Sequence, residues 1–168
     1  MHFVIECDTR GYRRNSCPWK AQHVTDSEVS ILHVEDFEPF RAAVFSILKT
    51  RPELRVVAEA SDGLEALRML RQFQPDVVLL DIGLPKLNGI DVARQILEIR
   101  PETKIIFVTQ ENSDCVVQEA MRLGASGYVN KTSAWSKLLE AIDKALRAES
   151  SVAGPSTATK KASENKQS

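Results

Sequence analysis

Five times between Val29 and Leu146, a short and nearly unbroken apolar run is followed by a longer segment whose apolar residues recur every three or four positions. The runs are VSILHV (29–34), LRVVAEA (54–60), VVLL (77–80), KIIFV (104–108) and GYV (127–129). A strand with no polar face must be covered on both sides, which points to a parallel sheet sandwiched between helices. The intervening segments have helical spacing. Phe40, Val44, Ile47 and Leu48 share one face of a helix predicted over 39–49, with Pro39 suited to its first turn. Ser61-Asp62-Gly63 can cap a second helix carrying Leu64, Leu67 and Leu70 or Arg71. A third follows Gly89, with Val92, Ile96 and Ile99 or Leu97 as its stripe. A fourth spans about 113–123, with Val116, Val117, Ala120 and Met121 facing inward, and Gly124 stands where a helix stops. The last shows Trp135, Leu138, Leu139, Ile142 and Leu146 at helical spacing, and Trp135 with the leucines is expected in the core.

This pattern is (βα)₅, an α/β doubly wound parallel sheet of the flavodoxin-like kind, with expected strand order 2-1-3-4-5. The chain of 168 residues is divided by composition into a leader (1–28), one domain (29–148) and a polar tail (149–168) expected to be disordered. Several function classes are excluded early. No apolar run approaches the roughly 18 to 20 residues of a membrane span, and MHFVIECDTR does not resemble a signal peptide. A net charge of −1 gives no basic field for nucleic acid. Three scattered cysteines, Cys7, Cys17 and Cys115, suit reduced thiols and a cytoplasmic location.

In open sheets of this kind, ligands sit beyond the carboxyl ends of the strands. There, strand one is followed by Glu35-Asp36, strand three by Asp81, strand four ends in Thr109, and strand five leads to Lys131. Three carboxylates, a hydroxyl and an ammonium are thus expected at one edge. Each close pair of carboxylates costs roughly 4 kcal/mol at an effective dielectric near 20. A hard divalent ion relieves that cost, and Mg²⁺ prefers oxygen ligands. With Lys131 opposite, the arrangement suits a metal and an anionic, oxygen-rich ligand, best a phosphoryl group. Asp81, delivered by the rigid run VVLL into LLDIGLPKLNG, is then a candidate nucleophile. Gly83 and Gly89 are expected to permit the turn that follows it.

HVEDF, LLDIGLPKLNGID, FVTQ and GASGYVNK, in that order and spacing over residues 29–147, resemble the receiver domain of two-component response regulators. The resemblance implies a phosphoacceptor at Asp81 and a Mg²⁺ ion held by Asp36, Glu35 (directly or through water), Asp81 and the backbone carbonyl of Gly83. It implies that Thr109 and Lys131 bind phosphoryl oxygens, and that Thr109 and Tyr128 form a switch. It further implies a histidine kinase or phosphotransfer protein as donor and a downstream protein partner met by the face of helix four, strand five and helix five. The last-helix face could also pair two copies. Glu35 stands where Asp is also common in the family. Gln110 follows Thr109 where many receivers have something smaller. Gly83 and Glu111 occupy positions whose side chains tune phosphate hydrolysis.

Each residue also has a plainer reading: a solvated Glu-Asp turn, a helix-capping aspartate at 81, a strand-end threonine, a surface lysine, a packed Tyr128. Their convergence at one edge favours the site. His33 reads as a packed residue, not a phosphocarrier, and Cys115 as inert. A phosphatase of the haloacid dehalogenase type needs a second acid two residues after its nucleophile, and Gly83 fills that place, so the chain is not expected to be an enzyme. The ending GYVNKTSAWSKLLEAIDKAL resembles receivers that precede a LuxR-type DNA-binding half. The alternative is therefore such a regulator lacking or shorn of that half, with no direct DNA binding by this chain.

Overall fold

The computed structural model describes residues 28–111 and 113–147. Strands β1 (Val29–Val34), β2 (Leu54–Ala60), β3 (Val77–Leu80), β4 (Lys104–Thr109) and β5 (Gly127–Asn130) alternate with helices α1 (Glu38–Leu48), α2 (Gly63–Phe73), α3 (Gly89–Ile99), α4 (Asp114–Arg122) and α5 (Ala134–Arg147). One turn of 3₁₀ helix, Lys131–Ser133, joins β5 to α5. All strand pairs are parallel, in the order β2-β1-β3-β4-β5 that the pattern predicts. The expected leader, apart from Glu28, and the expected tail lie outside the described residues.

The unbroken apolar runs have a direct cause. Successive residues of a strand point to opposite faces, and here each face has its own core. Val77 and Leu79 of β3 join Ile31, Val44, Ile47, Leu138 and Ile142 beneath α1 and α5. Val78 and Leu80 join Leu32, Val34, Leu70, Val92 and Ile96 beneath α2 and α3. All four β3 residues are fully buried, each burial stabilising the fold by about 1.5–3 kcal/mol.

Three helical positions differ from expectation. Leu64, Met121 and Trp135 are 58%, 50% and 67% exposed. Leu64 lies one residue, about 100°, round from Gly63 on the buried stripe of Gly63, Ala66, Leu67 and Leu70. Met121 lies likewise beside Ala120, the buried residue of α4. At the start of α5, Ala134 takes the buried place and the indole of Trp135 stands out beside it. Leu138 is buried and Leu139 and Leu146 partly so, as expected of that stripe. Of the alternatives on α3, Leu97 packs against the core and Ile99 is exposed.

The sheet hydrogen bonding runs one residue past the strands. The Glu35 amide donates to the Ala60 carbonyl at 2.9 Å and the Asp81 amide to the Val34 carbonyl at 3.0 Å. Both acids are therefore held by the sheet without belonging to it. Asp81 then meets the start of α3, where a Cβ on Gly89 would lie 2.0 Å from the Asp81 carbonyl oxygen. That turn requires Gly89. It does not require Gly83, where a Cβ would meet nothing nearer than Asp81 Oδ2 at 3.9 Å.

Candidate functional site

Glu35, Asp81 and Lys131 converge at the carboxyl edge of the sheet. Lys131 leaves the end of β5 and crosses β4, placing Nζ 2.7 Å from both Asp81 Oδ2 and Glu35 Oε2. Its side chain is 10% exposed, against 1% for Glu35 and 7% for Asp81. The ammonium also sits 4.9 Å from the centre of the Phe40 ring on α1, a favourable electrostatic contact. Backbone donors satisfy further carboxylate oxygens: the Phe37 amide reaches Glu35 Oε1 at 3.1 Å and the Gly83 amide reaches Asp81 Oδ1 at 3.3 Å. Arg41 of α1 donates to the Glu35 carbonyl at 2.6 Å, fixing the backbone from which both acids of the β1–α1 turn project.

Asp36 is exposed, yet one carboxylate oxygen from each of Glu35, Asp36 and Asp81 lies within 4.8 Å of the others. An octahedral Mg²⁺ shell at about 2.1 Å places opposite oxygens about 4.2 Å apart. Three hard carboxylate oxygens gathered this near one another are the donor chemistry such an ion takes. Electrostatics agree. Burial raises the Glu35 carboxyl above its ordinary value, and the Asp81 charge adds to this against the pull of Lys131. Burial pulls the Lys131 ammonium down, but its hydrogen bonds to Asp81 and Glu35 outweigh that and raise it. By count, three carboxylates face the one ammonium of Lys131 in this cluster.

Thr109 is buried at the end of β4, beside β3, and its hydroxyl accepts from the Glu111 amide at 3.3 Å. Tyr128 is half-buried on β5, its ring 6.4 Å from Phe107 and its hydroxyl donating to the Glu111 carbonyl. Burial, with the charges of Glu111 and Asp81, raises the Tyr128 phenol. The loop after β4 therefore contacts both Thr109 and Tyr128. Gly83 is exposed in the loop directly after Asp81. His33 is buried with Nδ1 unpartnered, and burial and nearby Arg41 and Lys131 lower it to about 3, so it is a neutral core residue. Cys115 is a free, exposed thiol on α4. Spacing places Phe40 on the apolar face of its helix but gives no sign that its ring and Arg41 border the site, because those contacts are made to Lys131 and the Glu35 carbonyl outside the helix.

The sequence profile of the response regulator receiver domain matches residues 31–143. The chain belongs to this family. Among curated relatives, this receiver is 32% identical over 121 residues to the transcriptional regulatory protein DegU of Brevibacillus brevis, covering 72% of this chain and 51% of that one. It is 33% identical to the transcriptional regulatory protein LiaR of Bacillus subtilis, covering 72% and 57%. The receiver thus spans about half the length of these relatives. Among solved structures, a two-component response regulator of the LuxR family from Aurantimonas sp. is 34% identical with a TM-score of 0.69, covering 73% of this chain and 87% of that one. The response regulator domain of Thermotoga maritima CheB is 31% identical with a TM-score of 0.66, covering 71% and 96%. The receiver is therefore a two-component signalling domain with the flavodoxin-like fold, related to LuxR-family regulators. Among the described residues no helix is long and apolar enough to cross a membrane.

Proposed function

We propose that this receiver is a phosphorylation switch whose acceptor is Asp81. The observation that carries the reading is the clustering of the Glu35, Asp36 and Asp81 oxygens within 4.8 Å, with Lys131 bridging Glu35 and Asp81, at the carboxyl edge of the sheet. An Asp81 carboxylate oxygen attacks the phosphorus of a phosphohistidine on a histidine kinase or phosphotransfer protein. The P–N bond breaks and the imidazole leaves. Glu35, Asp36, Asp81 and the Gly83 carbonyl would hold Mg²⁺, which supplies charge neutralisation for the transferring group. Lys131 and the Thr109 hydroxyl bind phosphoryl oxygens.

The readout follows from the contacts around Glu111. Movement of Thr109 towards a phosphoryl group draws on the loop that also receives the Tyr128 hydroxyl. The face of α4, β5 and α5, where Met121 and Trp135 are exposed, changes with it and meets a downstream protein partner or a second copy. We place the protein in the cytoplasm and read it as a switch, not a turnover enzyme, because Gly83 leaves no second acid two residues beyond Asp81. A second reading comes from the relatives: DegU and LiaR are transcriptional regulators about twice the matched length. In that reading this receiver is the controlling half of a DNA-binding regulator.

Incubation with acetyl phosphate, or with beryllofluoride as a phosphoryl mimic, tests the reading. Wild type responds only with Mg²⁺, and Asp81→Asn does not respond. Labelling of the mutant at another residue would refute the assignment.

A further inference from the structure

Lys86 has an unusual backbone. Its φ is +66°, a left-handed conformation that residues with a Cβ avoid. The Leu87 amide donates across it to the Pro85 carbonyl at 2.8 Å, closing a three-residue turn. Nothing local favours lysine here over glycine. The compensation is distant in sequence: Lys86 Nζ pairs with Asp62 Oδ2 at the start of α2.

Asp62 is a demanding partner. It is only 8% exposed, and its other oxygen accepts the Glu65 amide at 2.8 Å to cap α2. The junction is tight as well as charged. A Cβ on Gly63 would lie 2.7 Å from the Leu87 carbonyl oxygen and 2.8 Å from the Leu87 Cβ. The loop from Ile82 to Asn88 is thus held at both ends and in the middle. At its start it continues from Asp81, in the middle it is joined to α2, and at Gly89 it folds back so that the amide donates to the Ile82 carbonyl at 2.9 Å.

We propose that Lys86 is a positioning residue for the metal pocket, its ion pair with Asp62 locking the loop that carries Gly83. This rests on the metal reading above. A loop already ordered before binding loses less conformational freedom when its carbonyl becomes a ligand. Because Lys86 is 60% exposed at the side chain, the lock weakens with salt.

The experiment compares wild type, Lys86→Gly, Lys86→Arg and Asp62→Asn in the full chain. Calorimetric titration with Mg²⁺ reads affinity, amide exchange over residues 82–89 reads loop order, and thermal melting reads stability. Glycine suits the left-handed turn, which offsets part of the cost of leaving Asp62 without its cation, so Lys86→Gly stays folded and melts within several degrees of wild type. Its loop amides nevertheless exchange faster, and its Mg²⁺ dissociation constant rises roughly five- to thirtyfold, the effect of ordering about one more residue on binding. Asparagine caps a helix as well as aspartate, so Asp62→Asn keeps the cap and shows the same loss of affinity. Lys86→Arg recovers most of it. If wild type binds Mg²⁺ and Lys86→Gly binds within twofold of it, the inference is wrong and the metal reading stands. If wild type binds no Mg²⁺ at millimolar concentration, both fall.

Discussion

Lys131→Met removes the ammonium that joins Glu35 to Asp81 while keeping the length and apolar stem of the side chain. Two carboxylates, 1% and 7% exposed, are left without their shared cation. Breaking a buried ion pair by deleting one partner costs about 3–5 kcal/mol. The loss has a ceiling, because a stranded carboxyl can take up a proton instead. For a glutamate of ordinary pKa, about 4.3, that protonation costs about 3.7 kcal/mol at pH 7 and about 1 kcal/mol at pH 5. The expected destabilisation is therefore about 3–4 kcal/mol at pH 7, a large share of the 5–15 kcal/mol typical of a domain. It shrinks to roughly 1 kcal/mol at pH 5. The sign is consistent with linkage. Glu35 is already raised in the wild type, and the mutant raises it further, so the folded state holds more protons than the unfolded one and stability falls as pH climbs through that window. Urea melts at pH 5, 6 and 7 measure this, with a midpoint about 2 M below wild type at pH 7. A loss below 1 kcal/mol at pH 7, or an equal loss at pH 5 and pH 7, would refute the view that Lys131 compensates two buried charges.

Two further substitutions probe the geometry around the site. Gly89→Ala should unfold the domain or cost more than about 3 kcal/mol, since its Cβ would meet backbone at 2.0 Å, whereas Gly83→Ala, with its nearest neighbour at 3.9 Å, should stay within about 0.5 kcal/mol. Denaturant melts of the pair decide whether the two glycines differ as described. Trp135→Ser should change stability by less than about 0.5 kcal/mol because the indole is 67% exposed; a melting temperature lowered by several degrees would show that the ring is packed.

The sheet was legible because its signal is strong and local. Five strands with apolar residues on both faces admit few arrangements, and the switch in spacing from strand to helix marks each boundary to within a residue or two. Helix faces were less legible. Leu64, Met121 and Trp135 are large and apolar, and spacing alone assigned them inward; the structure turns them out because the stripe is defined by smaller neighbours, Gly63, Ala120 and Ala134. Periodicity weighs size, whereas at Gly63 the neighbouring Val92 and Leu87 leave no room even for a Cβ. The acids and Lys131 were readable from their position after strands. The contacts of Arg41 and Phe40 at the site, and the pairing of Lys86 with the helix-capping Asp62, were not, since the partners lie on other elements and no sequence interval records the meeting.

The contacts of Lys131 also constrain what can enter the proposed site. In this structure its ammonium is shared by the two carboxylates that a metal would need. A cation arriving alone would bind the acids, with the like charge of the lysine weakening it. A phosphate arriving alone would suit the lysine yet face three carboxylates. Only the two together replace every contact with one of correct sign: metal against the acids, anionic oxygens against Lys131. Simple charge balance among four named side chains thus favours a ternary arrangement over either binary one, and it does so without any movement of the sheet that carries Glu35 and Asp81.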